Sequence, residues 1–374
     1  MRRAAIAAAA AIVLAAGGYL AFWPVAVEPV AWVPAADPRF TGAYAGNSAL
    51  QTAERIFVDS VTGPDALVLD GNRQLVTAAA DGRVLRLKPA ADRTPGDDKG
   101  PIGGEVATVA FVGGRPLGLV VTPGDRYIVA EPLKGLVHGK LQKHRVLSAE
   151  ASGAPLRYVA DVALVGNNDL YFVDASSRYG YGDAWSDFVE HRANGRLLRY
   201  DDLTGKSEVV LDALHFPTGI AAGPGDEYLL ISETSAYRVL RYWLKGERAG
   251  QTETFIDGLP GFPAHISWNG LDRFWLALYS PRIDALDRWA DAPALRRMLV
   301  RLPLALRPRP ERRAIVLGFD ADGRLRENLQ HAGDDAYAPV TSVRELDGWL
   351  YMGSQTQSGI ARIRRPPETP ATSR

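Results

Sequence analysis

Between about residues 45 and 363 apolar side chains come in short runs, each interrupted by Gly, Pro, Asp or Asn. Runs of this length, rich in β-branched and aromatic residues and bounded by turn formers, read as strands. The clearest cover 74–77, 127–130, 170–173, 228–231, 274–277 and 349–352. Each is preceded by a leading segment of Pro or Asp with small residues: Gly63-Pro64-Asp65-Ala66, Arg115-Pro116-Leu117-Gly118, Ala160-Asp161-Val162-Ala163, Phe216-Pro217-Thr218-Gly219, Phe262-Pro263-Ala264-His265 and Ala338-Pro339-Val340-Thr341. These recur 43 to 57 residues apart, with a last interval of 77. A third strand repeats as 82–87, 195–200 and 237–242, each carrying an Arg-x-Leu-Arg core. Four-stranded units at a period of about 40 to 50 residues are the mark of a propeller. The pattern predicts an all-β, six-bladed β-propeller over 45–363, with an insertion in its last interval.

Two stretches depart from the strand period. In 283–302, Leu286, Trp289, Ala290, Met298, Leu299 and Leu302 recur near helical spacing while Arg296, Arg297 and Arg301 are set to face elsewhere. This predicts a helical insertion, read as a lid over one propeller face, with a membrane-surface helix as the alternative. At the N-terminus Arg2 and Arg3 precede an uncharged stretch over 4–27. It is long enough to cross a hydrocarbon core of about 30 Å. The arginines place residues 1–3 as a cytoplasmic tip and the bulk of the chain across the membrane, on the periplasmic side if the cell is bacterial. Tyr19, Phe22 and Trp23 suit an interfacial aromatic belt and favour an anchor; a cleaved signal peptide, leaving a secreted protein, is the alternative. Residues 28–44 then form a linker. Residues 91–104 and a tail over 364–374 are too polar and too rich in Pro, Gly and charge to bury, and read as mobile.

Composition narrows the function. The 374 residues hold 43 Lys+Arg against 43 Asp+Glu, a formal net charge of zero. Without a basic field there is nothing to neutralise phosphates, so nucleic acid is not an expected partner. Cysteine is absent, which removes disulfides, thiolate metal sites and a cysteine nucleophile. No Gly-x-Ser-x-Gly, Gly-x-x-x-x-Gly-Lys-Ser/Thr or His-Glu-x-x-His occurs, which removes the serine-hydrolase elbow, the phosphate-binding loop and the zincin helix.

Several motifs stand in an order that resembles the strictosidine-synthase-like proteins: Tyr171-Phe172-Val173-Asp174-Ala175-Ser176-Ser177-Arg178-Tyr179, Gly195-Arg196-Leu197-Leu198-Arg199-Tyr200-Asp201, Leu214-His215-Phe216-Pro217-Thr218-Gly219, Ser232-Glu233-Thr234 and Leu259-Pro260-Gly261-Phe262-Pro263. The resemblance spans roughly 45–363. It places the chain beside the paraoxonases and gluconolactonase-like proteins (the SMP-30 group), and implies hydrolysis of small lactones or aryl esters at a central tunnel with a divalent metal ion.

Inner strands of a propeller line that tunnel, so the leading segments converge on one point. Asp65 stands where calcium-binding relatives carry Glu and Asp161 where they carry Asn or Asp, but Thr218 replaces an expected Asn and Ala264-His265 an expected Asp-Asn. The resemblance therefore implies a metal set of Asp65, Asp161 and His265, a donor mix that suits a transition metal better than calcium. His265 is also the candidate catalytic residue, a neutral imidazole able to ligate metal or take a proton. Leu117 stands where paraoxonases have a histidine, and Thr341 where true strictosidine synthases have a catalytic glutamate, so amine–aldehyde condensation ranks low. Leu117, Thr218, Thr341, Tyr179 and Trp185 are expected to line the tunnel or contact substrate. Asp174 and Glu233 are read as acceptors for turn amides. A non-catalytic propeller that binds a ligand or protein through a degenerate metal site is the competing reading.

Overall fold

A computed structural model describes residues 2–90 and 103–367. Six four-stranded antiparallel sheets follow one another along the chain. Blade I is Leu67–Leu69, Leu75–Ala78, Arg83–Pro89 and Gly104–Phe111; blade II is Gly118–Thr122, Arg126–Glu131, Gly135–Gly139 and Arg145–Ser148. Blade III is Val159–Val165, Asp169–Asp174, Gly195–Asp201 and Lys206–Leu214; blade IV is Pro217–Ala222, Tyr228–Glu233, Arg238–Trp243 and Thr252–Ile256. Blade V is Gly261–Trp268, Phe274–Pro281, Arg313–Phe319 and Leu325–Ala332. Blade VI takes Ser342–Leu346, Trp349–Gly353 and Ile360–Arg364 from the C-terminal end and its outer strand, Glu54–Ile56, from the N-terminal side. Glu54 pairs with Arg362 and Ile56 with Ile360, so the ring closes by a ladder and leaves no open blade edge at the seam.

The second strands of the blades are largely buried because they pack on both neighbouring sheets. Phe172, Leu229, Leu230, Ile231, Trp275 and Leu350 have no exposed surface. That is why these strands read as continuous apolar runs rather than alternating ones.

Strand direction reverses at each step, so the turn before an inner strand and the loop between second and third strands emerge on one common face. Both large insertions leave from that second loop position. In blade III it carries helix α2 (Ala184–Glu190); in blade V it carries α3 (Asp284–Arg288) and α4 (Pro293–Arg301). The single helix expected over 283–302 is thus two, broken where Pro293 starts a new first turn. Arg296 does not face outward as its charge suggested. Three residues before Leu299, it shares that residue's face and is fully buried, its guanidinium donating to Val30 O at 3.0 Å and Phe188 O at 2.8 Å.

The N-terminal helix α1 (Arg2–Phe22) has a mean hydropathy of 2.1 over its most apolar window and none of it is buried. The segment after it lies across the face that bears α2, α3 and α4. Val30 N donates to Glu190 O, Trp32 N to Ala290 O, and the Trp32 ring stacks on His191 at 3.6 Å. Gly104 starts the outer strand of blade I, paired with Pro89. Arg365 reaches back to Asp272 and Glu345. The remainder of the two segments read as mobile, 91–102 and 368–374, lies outside the described residues.

Candidate functional site

Three inner strands are irregular where they meet the tunnel. The ladder of blade III slips between Val159 and Asp161, that of blade IV between Pro217 and Gly219, and that of blade V between Pro263 and Ile266. Each slip adds one residue to the inner strand, and such bulges re-aim side chains. In blade V it frees Ala264 and His265 from the ladder, and His265 N donates instead to Thr341 O of blade VI at 3.0 Å. Close approach between blades needs glycine here. A Cβ on Gly118 would stand 2.4 Å from Asp161 Oδ1, and one on Gly219 2.9 Å from His265 Cα.

A repeated device holds the leading turns. The carboxylate ending the second strand accepts the backbone amide opening its own blade: Glu131 from Arg115 N at 3.0 Å, Asp174 from Tyr158 N at 2.8 Å and Glu233 from His215 N at 2.7 Å. In blade IV, Thr218 and Thr234 share a hydroxyl hydrogen bond of 2.6 Å, and Thr234 donates to Pro263 O at 2.8 Å, tying that turn to blade V.

These constraints bring Asp65, Asp161 and His265 together. His265 Nδ1 lies 2.8 Å from Asp161 Oδ2 and its Nε2 3.9 Å from Asp65 Oδ1. Asp161 is itself fixed, accepting Val162 N on Oδ1 at 2.9 Å and Ile220 N on Oδ2 at 3.0 Å. Asp65 Oδ1 is buried without a hydrogen-bond partner. Burial lowers the His265 imidazole, but the Asp161 carboxylate, the hydrogen bond to it and the Asp65 carboxylate outweigh burial and push it up to about 9. Burial pushes the Asp65 carboxyl up, against the opposing pull of His265, Arg115 and Thr341. The Arg115 guanidinium is held nearby by Gly63 O and Gln355 O at 3.0 and 2.8 Å.

His265 separates two cavities. On the helical face, a cavity of about 290 Å³ has Asp65, His265, Leu117, Thr218, Thr341 and Trp185 in its wall. Tyr179 is not there. Its ring lies in the core beside blade IV and its hydroxyl donates to Glu190, because the turn at Ser176 directs it away from the tunnel. Sequence reasoning missed Tyr158, Phe188, Phe216, Phe262, Thr234 and Tyr279, which complete a largely aromatic wall. Phe216 and Phe262 were within reach, since each directly precedes the proline of a leading segment. Tyr279 was not, because it lies in the extra length of the second strand between Leu278 and Pro281, a bulge without a sequence mark. On the opposite face a polar cavity of about 440 Å³ is lined by inner-strand backbone, Asp161 and Arg344. Burial lowers the Arg344 guanidinium to about 10, against the opposing charge of Asp161.

The donor set does not fit a three-ligand metal centre as it stands. Both Asp161 oxygens and His265 Nδ1 are engaged with one another or with backbone amides. Asp65 and Asp161 flank the ring on opposite nitrogens rather than converging on one point. Among the described residues no group of three His, Cys, Asp or Glu is arranged to hold an ion.

The fold is that of a six-bladed β-propeller with a central tunnel, and solved structures share it. A gluconolactonase from Xanthomonas campestris shares it at a TM-score of 0.58 and 16% identity, over 91% of this chain and 99% of that one. A calcium-binding protein, regucalcin, from Agrobacterium tumefaciens shares it at 0.54 and 13%, over 83% and 93%. In sequence, the strictosidine synthase family matches residues 161–247 and the N-terminal strictosidine synthase-like family residues 42–87. Adipocyte plasma membrane-associated protein of Rattus norvegicus is 30% identical over 363 residues, covering 90% of this chain and 92% of the relative. Strictosidine synthase-like protein 6 of Arabidopsis thaliana is 30% identical over 318 residues, covering 84% and 82%. The chain belongs to the strictosidine-synthase-like family that includes adipocyte plasma membrane-associated protein.

Proposed function

We propose that this chain is a membrane-anchored hydrolase of small lactones or aryl esters, with its propeller outside the cytoplasm. The observation that carries the reading is the pairing of His265 with Asp161 on one side and with the unsatisfied Asp65 carboxylate on the other, at the wall of an aromatic cavity. Two titratable groups with strongly altered environments in one cleft are the usual raw material of acid–base chemistry.

Asp65, made more basic by burial, takes a proton from a water molecule, whose oxygen attacks the substrate carbonyl carbon. The His265 Nε2–H, held protonated by Asp161, donates to the oxygen on which negative charge develops. Collapse breaks the acyl–oxygen bond, and the leaving alkoxide or phenoxide takes the proton back from Asp65. The water-derived hydroxyl stays on the acyl product, so atoms and charge balance. Asp161 is a positioning residue, and the aromatic wall orients the substrate and excludes water. The resemblance to calcium-dependent propellers implies a divalent ion, but the donor set gives it no seat and no step runs through it. Thr341, whose hydroxyl donates to Asp65 O at 3.0 Å, has no proton to exchange near neutral pH, so condensation chemistry has no base there.

The aromatic wall also supports a binding-only reading, in which the same cavity holds a ligand without turnover. Initial rates of the full chain on γ-lactones and aryl esters, beside His265→Gln and Asp65→Asn, separate the two. Hydrolysis lost by on the order of 10² to 10⁴-fold in each variant is the expected result. A wild-type protein that binds these compounds without turning them over replaces the hydrolase with the binding platform.

A further inference from the structure

The helix read as an anchor and the cavity are mechanically connected. Arg301 of α4 donates to the last carbonyls of α1, to Leu20 O at 2.6 Å and Trp23 O at 2.7 Å, so it caps the end where the chain leaves the apolar helix. Arg178 next holds Ala26 O at 2.8 Å, Arg296 holds Val30 O, and Arg282 holds Ala35 O at 2.8 Å. The chain leaving α1 is therefore fastened along the helical face and has no slack to let the propeller swing away. On the other side of α4, Leu299 O accepts from Trp185 Nε1 at 3.4 Å, and Trp185 is a wall of the cavity, as are Ile283, Leu286 and Pro310 of the same insertion.

The outer surface of that insertion carries Leu295, Leu304 and Leu306 at 42, 72 and 66% exposure. Apart from the buried Arg296, residues 283–309 contain five Arg against three Asp, in a chain with no net charge overall. Exposed leucines among arginines, next to the end of an apolar helix, form the interfacial surface expected of a segment lying among lipid headgroups and upper acyl chains.

The geometry points to a cavity that is loaded from the bilayer. The insertion 283–310 lies in the membrane interface, and the substrate class is a membrane-resident amphiphile, an ester or lactone head on an apolar chain. The apolar chain would pass along the leucine-bearing insertion while the head reaches Asp65 and His265. This inference rests on the anchored hydrolase proposed above and narrows its substrate.

The test uses the full chain in anionic phospholipid nanodiscs. Because the sequence has no cysteine, single Leu304→Cys, Leu306→Cys and Leu203→Cys variants can each carry one fluorophore. Leu203 is 97% exposed, but lies in the turn between third and fourth strands, on the far face. Nitroxide lipid labelled near the headgroup is expected to quench the labels at 304 and 306 several-fold more than that at 203. Equal quenching at all three overturns the membrane-facing rim; Val13→Cys, labelled in α1, reports separately whether the anchor itself is inserted. In a second arm, nanodiscs are doped with a diazirine-bearing long-chain monoacylglycerol. Crosslinks to the cavity wall around Trp185, Phe188 and Ile283, in wild type and in His265→Gln alike, support loading from the bilayer. Crosslinks confined to α1 overturn it. Neither readout needs turnover, so failure of the hydrolase reading leaves these results standing and is seen in the rate assay alone.

Discussion

Asp161→Asn isolates the interaction on which the site depends. Asn keeps the size of the side chain and an oxygen for Ile220 N, but removes the charge 2.8 Å from His265 Nδ1. In the wild type His265 is raised from 6.5 to about 9, which at about 1.4 kcal/mol per pKa unit is about 3 kcal/mol of preference for the protonated imidazole. A group raised on folding contributes stability that is fully present below its unfolded pKa and is lost as pH rises through the folded one. Wild-type unfolding free energy should therefore fall by about 3 kcal/mol between pH 6.5 and 9. In Asp161→Asn, burial is opposed only by Asp65, so His265 drops below its wild-type value and most of that slope disappears. Chemical denaturation at intervals from pH 6 to 10 reads both curves, and the imidazole resonances of His265 read its titration directly. A flat wild-type curve across this window, or His265 titrating at its ordinary value, would refute the reasoning.

Other consequences follow from packing and closure. Gly118→Ala places a methyl 2.4 Å from Asp161 Oδ1 and 2.5 Å from its Cα, so it should cost about 1–3 kcal/mol of stability and displace His265, seen as a lower melting temperature with an altered His265 resonance. Ile56→Ala, at the one fully buried residue of the closing strand, should cost about 2–5 kcal/mol in denaturant unfolding and raise hydrogen exchange at Ile360 and Ala361 first. Elemental analysis of protein purified without chelator should find less than one equivalent of divalent ion, and chelator should leave the melting temperature unchanged. A stoichiometric ion lost in Asp65→Ala would show that the three side chains rearrange into a metal site.

The propeller was legible because its signal repeats: six leading segments and six buried second strands agree in phase, and agreement between repeats suppresses the error of any single one. The closing strand was not, since Glu54-Arg55-Ile56 is too short to stand out and is defined only by its partner Ile360–Arg364. The convergence of Asp65, Asp161 and His265 follows from equivalent positions in different blades, whereas their arrangement follows from bulges that depend on hydrogen bonds between blades. This is why the trio could be found while its geometry, a histidine between two carboxylates rather than three ligands about one point, could not. Tyr179 went astray for a related reason: the buried Ser176 hydroxyl donates to Asp187 at 2.6 Å and turns the chain, a local choice that the glycine-rich composition concealed. Arg296 shows the limit of reading charge as exposure. A guanidinium can be buried where backbone carbonyls meet it, and here one belongs to a segment more than 260 residues away in sequence and the other to α2.

The central claim is that Asp65 and His265 carry out hydrolysis at the head of the aromatic cavity. Its most direct test is the pH dependence of lactone or aryl-ester hydrolysis by the full chain in nanodiscs, beside His265→Gln. The mechanism needs Asp65 ionised and His265 protonated, so the rate should rise as Asp65 loses its proton and fall as His265 deprotonates near pH 9. His265→Gln should lose the activity by about 10²-fold or more. Turnover that climbs steadily through pH 10, or that survives in His265→Gln, would contradict the account.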